Sequence, residues 1–168
     1  MFNCRICTEN PFGGGGGGEK KKAPKKADKK QRGGGFHPRT KEQARDLVQQ
    51  YMGCVTDRAK HEFGGDAAIA KALEAVLPYI DENVDPIFLP ETCAAWHGSL
   101  DAQGAPSVMM VKPGKTEQEE TNVLRLLAFI FADEASFEIL ARMERTVPYT
   151  MECGDPTCIN LTHIHLPE

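Results

Sequence analysis

Near the C-terminal end of the sequence, Cys153, Cys158 and His163 stand with four residues between each neighbouring pair. No other feature so tightly constrains how the chain can fold. Thiolate and imidazole are the ligand types of a tetrahedral zinc ion. Gly154-Asp155-Pro156, between the two cysteines, is turn chemistry that lets both sulfurs face one ion. Three ligands leave one coordination position open, either for a water in a catalytic site or for a fourth protein ligand in a structural one. A fold built on this knuckle must therefore bring a distant segment to it or expose the ion to solvent.

The stretch Cys93-Ala94-Ala95-Trp96-His97-Gly98, followed by Asp101-Ala102-Gln103-Gly104, bears on that choice. Together with the knuckle, residues 93–166 resemble the zinc-binding region of the His-Me finger (HNH-type) homing endonucleases. There a Cys-x-x-Trp-x-Gly stretch enters a hairpin, a helix opens with His-Arg-Leu-Ala, and a Cys-x4-Cys-x-Asn-Pro-x-His-Leu knuckle follows. The resemblance implies that Cys93, Cys153, Cys158 and His163 hold one structural Zn(2+), and that Val123-Leu124-Arg125-Leu126-Leu127-Ala128 opens the helix. It also implies a small zinc-stabilised ββα-metal (His-Me finger-like) domain. Cys54 remains an alternative fourth ligand.

The same comparison argues against nuclease chemistry. The family's general base is a histidine two positions before the first knuckle cysteine, and here that position is Met151, whose thioether cannot take a proton from water. Leu124 replaces the histidine that opens the family's helix, and the family's metal-binding Asn or His beyond the knuckle has no counterpart before Glu168. His165 and His97 are the candidates for a displaced catalytic role, the first standing two residues after His163.

Charge divides the chain. The overall balance is −4, yet residues 19–32 carry Lys20, Lys21, Lys22, Lys25, Lys26, Lys29, Lys30 and Arg32 against Glu19 and Asp28. That run is +6 and the sequence after it is −10. Glycine runs flank it at 13–18 and 33–35, so it has no apolar surface to bury and reads as a disordered basic tail over residues 13–39. Phosphate neutralisation dominates nucleic-acid affinity, and an acidic body repels the same phosphates. The tail is then the expected contact for DNA or RNA, non-specifically, or a nuclear-import address, with a protein partner expected for the body. Contact of the tail with an acidic protein surface and a solvated linker are the alternatives.

Cys4-x-x-Cys7, in a short N-terminal segment 1–12, is a weak candidate for a second metal site. The grouping of the six cysteines looks metal-directed, and implies an intracellular, reducing location, the nucleus or a nucleoprotein particle included. The longest apolar stretch, residues 126–132, is about a third of the roughly 20 residues that a membrane-spanning helix needs. The first residues lack a secretory apolar core. Lys112-Pro113-Gly114-Lys115-Thr116 resembles the end of a phosphate loop but lacks its upstream glycine, so nucleotide binding is set aside.

The remaining segments predict an α+β fold. Thr40-Lys41-Glu42-Gln43 is a capping box, and Ala44, Leu47, Val48, Tyr51, Val55 and Ala59 repeat at helical spacing to about Phe63. Gly64-Gly65 ends that helix. Asp66 caps a second, whose stripe is Ile69, Leu73, Val76, Leu77 and Ile80, with Pro78 kinking or ending it. The two form a helical hairpin over residues 40–84, ahead of a zinc-binding domain over 85–168. In the latter, strands over 94–100 and 107–111 are expected to pair, the acidic run 116–122 to open a helix, and a further helix to span 134–145. Trp96 is expected in the core.

Three functions compete. The first is a nuclease-derived, inactive zinc module acting in nucleic-acid binding or in a nucleoprotein assembly. The second is an active HNH-type endonuclease using displaced histidines. The third is a structural protein-interaction subunit of a ribonucleoprotein or virus particle.

Overall fold

The computed structural model describes residues 35–167. The basic run from Lys20 to Arg32 and the Cys4/Cys7 pair lie outside them. Among the described residues the architecture is α+β, with five α-helices and one two-stranded antiparallel sheet. No helix there is long and apolar enough to cross a membrane.

Helix α1 (Lys41–Met52) starts at the predicted capping box: Gln43 N–H donates to Thr40 Oγ1 (3.2 Å), and Thr40 N–H donates to Gln43 Oε1 (2.7 Å). The helix does not run on to Phe63. It stops at Gly53, and Thr56 caps a new helix, α2 (Asp57–Glu62), by accepting from Ala59 N–H. Three helices therefore stand where two were expected. The break escapes a periodicity argument because Val55 and Ala59 keep the apolar phase of α1 and are buried like Val48 and Tyr51.

Gly64 and Gly65 have φ of 88° and 95°, a left-handed region that side chains with a Cβ rarely adopt. They reverse the chain into α3 (Asp66–Val76), with Gly65 at the N-cap position. Asp66 thus lies inside the first turn, not at the cap, where its charge faces the positive end of the helix. Pro78 sits in a 3-10 turn, Leu77–Tyr79, that ends the helix.

The sheet differs from expectation. Strand β1 (Ser107–Val111) pairs with β2 (Gln118–Asn122), in register Ser107↔Asn122 through Val111↔Gln118. Residues 94–100 make only isolated bridges, Trp96 with Ile80, Ala95 with Cys158 and Leu100 with Pro106. Within the acidic run 116–122, Gln118–Asn122 is thus a strand and not a helix start. Glu119 lies 3.1 Å from Lys112 Nζ and 3.5 Å from Lys115 Nζ, and Ser107 Oγ donates to Glu120 at 3.0 Å. Cross-strand partners of this kind hold a segment that intrinsic propensity would place elsewhere.

Helix α4 (Val123–Phe131) follows without a loop, capped by Asn122, and α5 (Glu134–Arg142) follows with Asp133 as its cap. Helix α5 ends three residues short of the expected 145. Helix α1 packs on α3, α2 on α4, and α3 on β1. One cluster of buried side chains joins the helices to the C-terminal segments, from Ala44 and Tyr51 through Ile130 and Leu140 to Ile159 and Ile164.

Candidate metal centre

The knuckle is a short ladder closed by two turns. Met151 bridges Ile164, Glu152 N–H donates to His163 O (2.7 Å), and His165 N–H donates to Thr150 O (2.8 Å). Asp155 Oδ1 accepts from Thr157 N–H and Thr157 Oγ1, which bends the chain between the cysteines. Leu161–His163 forms a 3-10 turn capped by Asn160.

Residues 93–96 are stitched directly to this ladder. Trp96 N–H donates to Thr157 O (2.9 Å) and Ile159 N–H to Ala94 O (2.8 Å). The pairing lays Cys93 beside Cys158. Trp96 is buried, as expected, with its indole N–H on Ser99 O (2.8 Å). A Cβ on Gly98 would lie 2.5 Å from the indole ring, which is the physical reason for glycine two residues after this tryptophan.

The outcome is a cluster in which Cys93 Sγ, Cys153 Sγ, Cys158 Sγ and a ring nitrogen of His163 all lie within 4.8 Å of one another. These residues can hold a metal ion, and the fourth member is Cys93. Cys54 packs against the helical core and stands outside the cluster. His163 Nδ1 is 3.5 Å from Cys158 Sγ and 3.6 Å from Cys93 Sγ. Its other nitrogen, Nε2, donates to Pro90 O at 2.9 Å. A proton on Nε2 leaves the Nδ1 lone pair turned to the sulfurs, and such a backbone acceptor is how ligating histidines are commonly oriented.

Burial pushes the Cys158 thiol up to about 12, and the neighbouring Cys153 and Cys93 add to the effect. The Cys93 thiol is raised as well, by burial first and then by its contact with Cys153. Clustered sulfurs in a part-buried site resist ionisation unless a positive ion compensates them.

Comparison with protein-family models, with curated proteins and with solved structures gives no match.

The displaced-base candidates lie elsewhere. The His165 ring is exposed and 3.7 Å from Glu152, and the His97 ring stacks on Phe36 with centroids 4.1 Å apart. Neither belongs to the metal cluster. Met151 is buried, only 7 % exposed, on the ladder of the knuckle.

Asn160 escapes a search for ligands. It is fully buried, and its Nδ2 donates to Leu89 O (2.9 Å) and Thr92 O (2.8 Å). Its Oδ1 accepts from Thr162 N–H, and the one proton of the Thr162 hydroxyl faces both Asn160 Oδ1 and Pro90 O, each 2.8 Å away. One amide thus ties the turn that presents Cys93 to the turn that presents His163. The sequence signal is a lone Asn in the apolar run Ile159-Asn160-Leu161, since a polar group in such a place needs partners for all its hydrogen-bonding atoms.

Proposed function

We propose that the protein is a structural-zinc module of His-Me finger ancestry that has lost nuclease chemistry and acts by binding nucleic acid through residues 19–32. The observation that carries this reading is the closed ligand set. Four protein ligands leave no position for a reactive water, which is the mark of a structural zinc site. The buried Met151, at the family's base position, supplies no proton acceptor.

Zinc is favoured by the donor set and by distance. Legs of about 2.3 Å to sulfur and about 2.05 Å to nitrogen, meeting at the tetrahedral angle, span about 3.6 Å. The two Sγ···Nδ1 separations are 3.5 and 3.6 Å.

The test is metal analysis of the purified full chain, a magnesium- or manganese-dependent cleavage assay, and binding to a mixed DNA or RNA probe with and without residues 19–32. About one zinc, no cleavage, and loss of most low-salt binding on deletion are expected. A second zinc would bring in Cys4 and Cys7. Cleavage abolished by His165→Ala or His97→Ala would overturn the loss of chemistry, and unchanged binding on deletion would overturn the role of the tail.

Asn160→Ala is expected to weaken zinc binding by roughly 10–100-fold, the usual effect of removing an outer-shell partner. Competition with a chelator of known affinity measures it. Affinity within twofold of the parent would mean that the clamp is not what positions Cys93 and His163.

A further inference from the structure

Strand β1 has one open edge. Ser107 N–H donates to Ser99 O (2.9 Å), away from β2, and backbone groups alternate between the two edges of an antiparallel strand. By the register of the sheet, Val108 and Met110 therefore bond to β2, while the N–H and C=O groups of Met109 and Val111 point outward. Among the described residues neither has a hydrogen-bond partner on that edge. Their side chains are exposed as well, 53 % for Met109 and 40 % for Val111. Exposed strand edges are commonly guarded by charge, proline or a bulge. Strand β2 carries Glu119 and Glu120, but Ser107-Val108-Met109-Met110-Val111 has no such guard.

This edge borders a groove of about 350 Å³, lined by Ala68, Lys71, Ala72 and Ala75 of α3 and by residues 109–113. Successive side chains of a strand face opposite ways, so a groove that touches both Met109 and Met110 runs along the edge of β1 and not over one face. The small alanine side chains of α3 leave the room. No carboxylate lines it. Lys112 reaches Glu119 at 3.1 Å, whereas Lys71 enters no ion pair among the described residues. In a sequence that carries −10 after its basic run, the groove is an apolar strip with a free cation on its rim.

We propose that this edge is a docking site for an extended segment of another protein, apolar with aspartate or glutamate among its residues, which joins the sheet as a third strand beside β1. Such a strand satisfies the N–H and C=O groups of Met109 and Val111, and its alternate side chains enter the groove. Those over Ala68, Ala72 and Ala75 meet small apolar side chains, and a carboxylate meets Lys71. Charge decides against a second copy of this chain as the occupant. Its β1 brings no carboxylate, Lys112 follows that strand directly, and a second acidic body comes with it. Like charges set against each other across an interface reject a partner. Neither the metal cluster nor residues 19–32 take part in this site.

The test pans the full chain against a phage-displayed library of random dodecapeptides, then measures the affinity of the enriched peptides by fluorescence anisotropy. Enrichment of segments that combine Val, Ile or Phe with Asp or Glu is expected, and their binding should protect the Met109 and Val111 amides from hydrogen exchange. Val111→Pro removes one outward donor and leaves the ladder to β2 intact. It should weaken peptide binding at least tenfold with an unchanged thermal transition, and Met109→Lys serves as a second edge variant should the proline not fold. Lys71→Glu should weaken binding at least fivefold and flatten its dependence on salt. An absence of enriched peptides, or a consensus without acidic residues, overturns the proposal. So do acidic peptides that bind the three variants like the parent, since residues 19–32 would then be what holds them. Dimerisation of the peptide-free chain that is lost in Met109→Lys would give the edge to a second copy instead.

Discussion

On the proposed zinc assignment, stripping the metal from the protein with a strong chelator is expected to unfold the sequence after Pro90 and to erase the cooperative thermal transition of that region. Cys93 and His163 are separated by 70 positions, and besides the shared core packing of α4 and Leu140 only a two-stranded sheet and isolated bridges hold the segments between them. Structural zinc contributes about 10–16 kcal/mol in zinc-finger peptides, against about 5–15 kcal/mol for the whole stability of a typical domain. Without the ion, three clustered sulfurs and an oriented imidazole remain in a part-buried site with nothing to compensate them. Trp96 reports the event, because its backbone is bonded to the knuckle at Thr157 O. Its emission should shift to the red on chelation and return with added zinc. Binding the ion displaces thiol protons, so the same transition should come at lower chelator concentration as pH falls. Cys158→Ser should behave like the stripped protein, whereas Cys54→Ser should retain full zinc. A metal-free protein that melts within a few degrees of the zinc-loaded one would show that the cluster is not what holds this region.

That cluster was largely legible in the sequence because ligand spacing is local. Cys153, Cys158 and His163 fall within one knuckle, and residue type together with turn chemistry define them. Cys93 was reached only through the Trp96-x-Gly98 pattern, since nothing local links it to the knuckle. The capping box at Thr40 was legible for the same reason as the cysteines: both partners lie within one turn. Two features were not. Residues 118–122 are Gln-Glu-Glu-Thr-Asn, of which only Thr121 is a good strand former, and their pairing depends on β1 across the turn and on Lys112 and Lys115. The break at Gly53 is silent because Val55 keeps the apolar phase across it, and what fixes it is long-range. Thr56 N–H and Oγ1 both donate to Ile130 O, at 3.0 and 3.1 Å, from an element 74 positions away.

The break also places Arg58, and Arg58→Ala is expected to cost about 3 kcal/mol. Its Nη2 donates to Phe129 O (3.0 Å) and Ala132 O (2.9 Å), carbonyls at the C-terminal end of α4 that have no partner within the helix. Its guanidinium lies 3.8 Å from the Phe137 ring centroid, and its side chain is only 10 % exposed. Truncation leaves two carbonyls short of a donor, at about 1–3 kcal/mol for each if fully desolvated, and removes a cation–π contact worth about 1 kcal/mol. Local relaxation recovers part of that sum. The ion pair with Glu134, 2.6 Å long, adds little because Glu134 is 69 % exposed, so Glu134→Ala should cost under about 1 kcal/mol. Arg58→Lys should recover little of the loss, since a single ammonium cannot serve two carbonyls and a ring face together. Urea denaturation of the zinc-saturated proteins separates these cases. If Arg58→Ala and Glu134→Ala cost the same, the surface ion pair and not the carbonyl fork is what joins α2 to α4. If Arg58→Lys matches the parent, charge alone suffices at the end of α4 and the geometry of the fork is incidental.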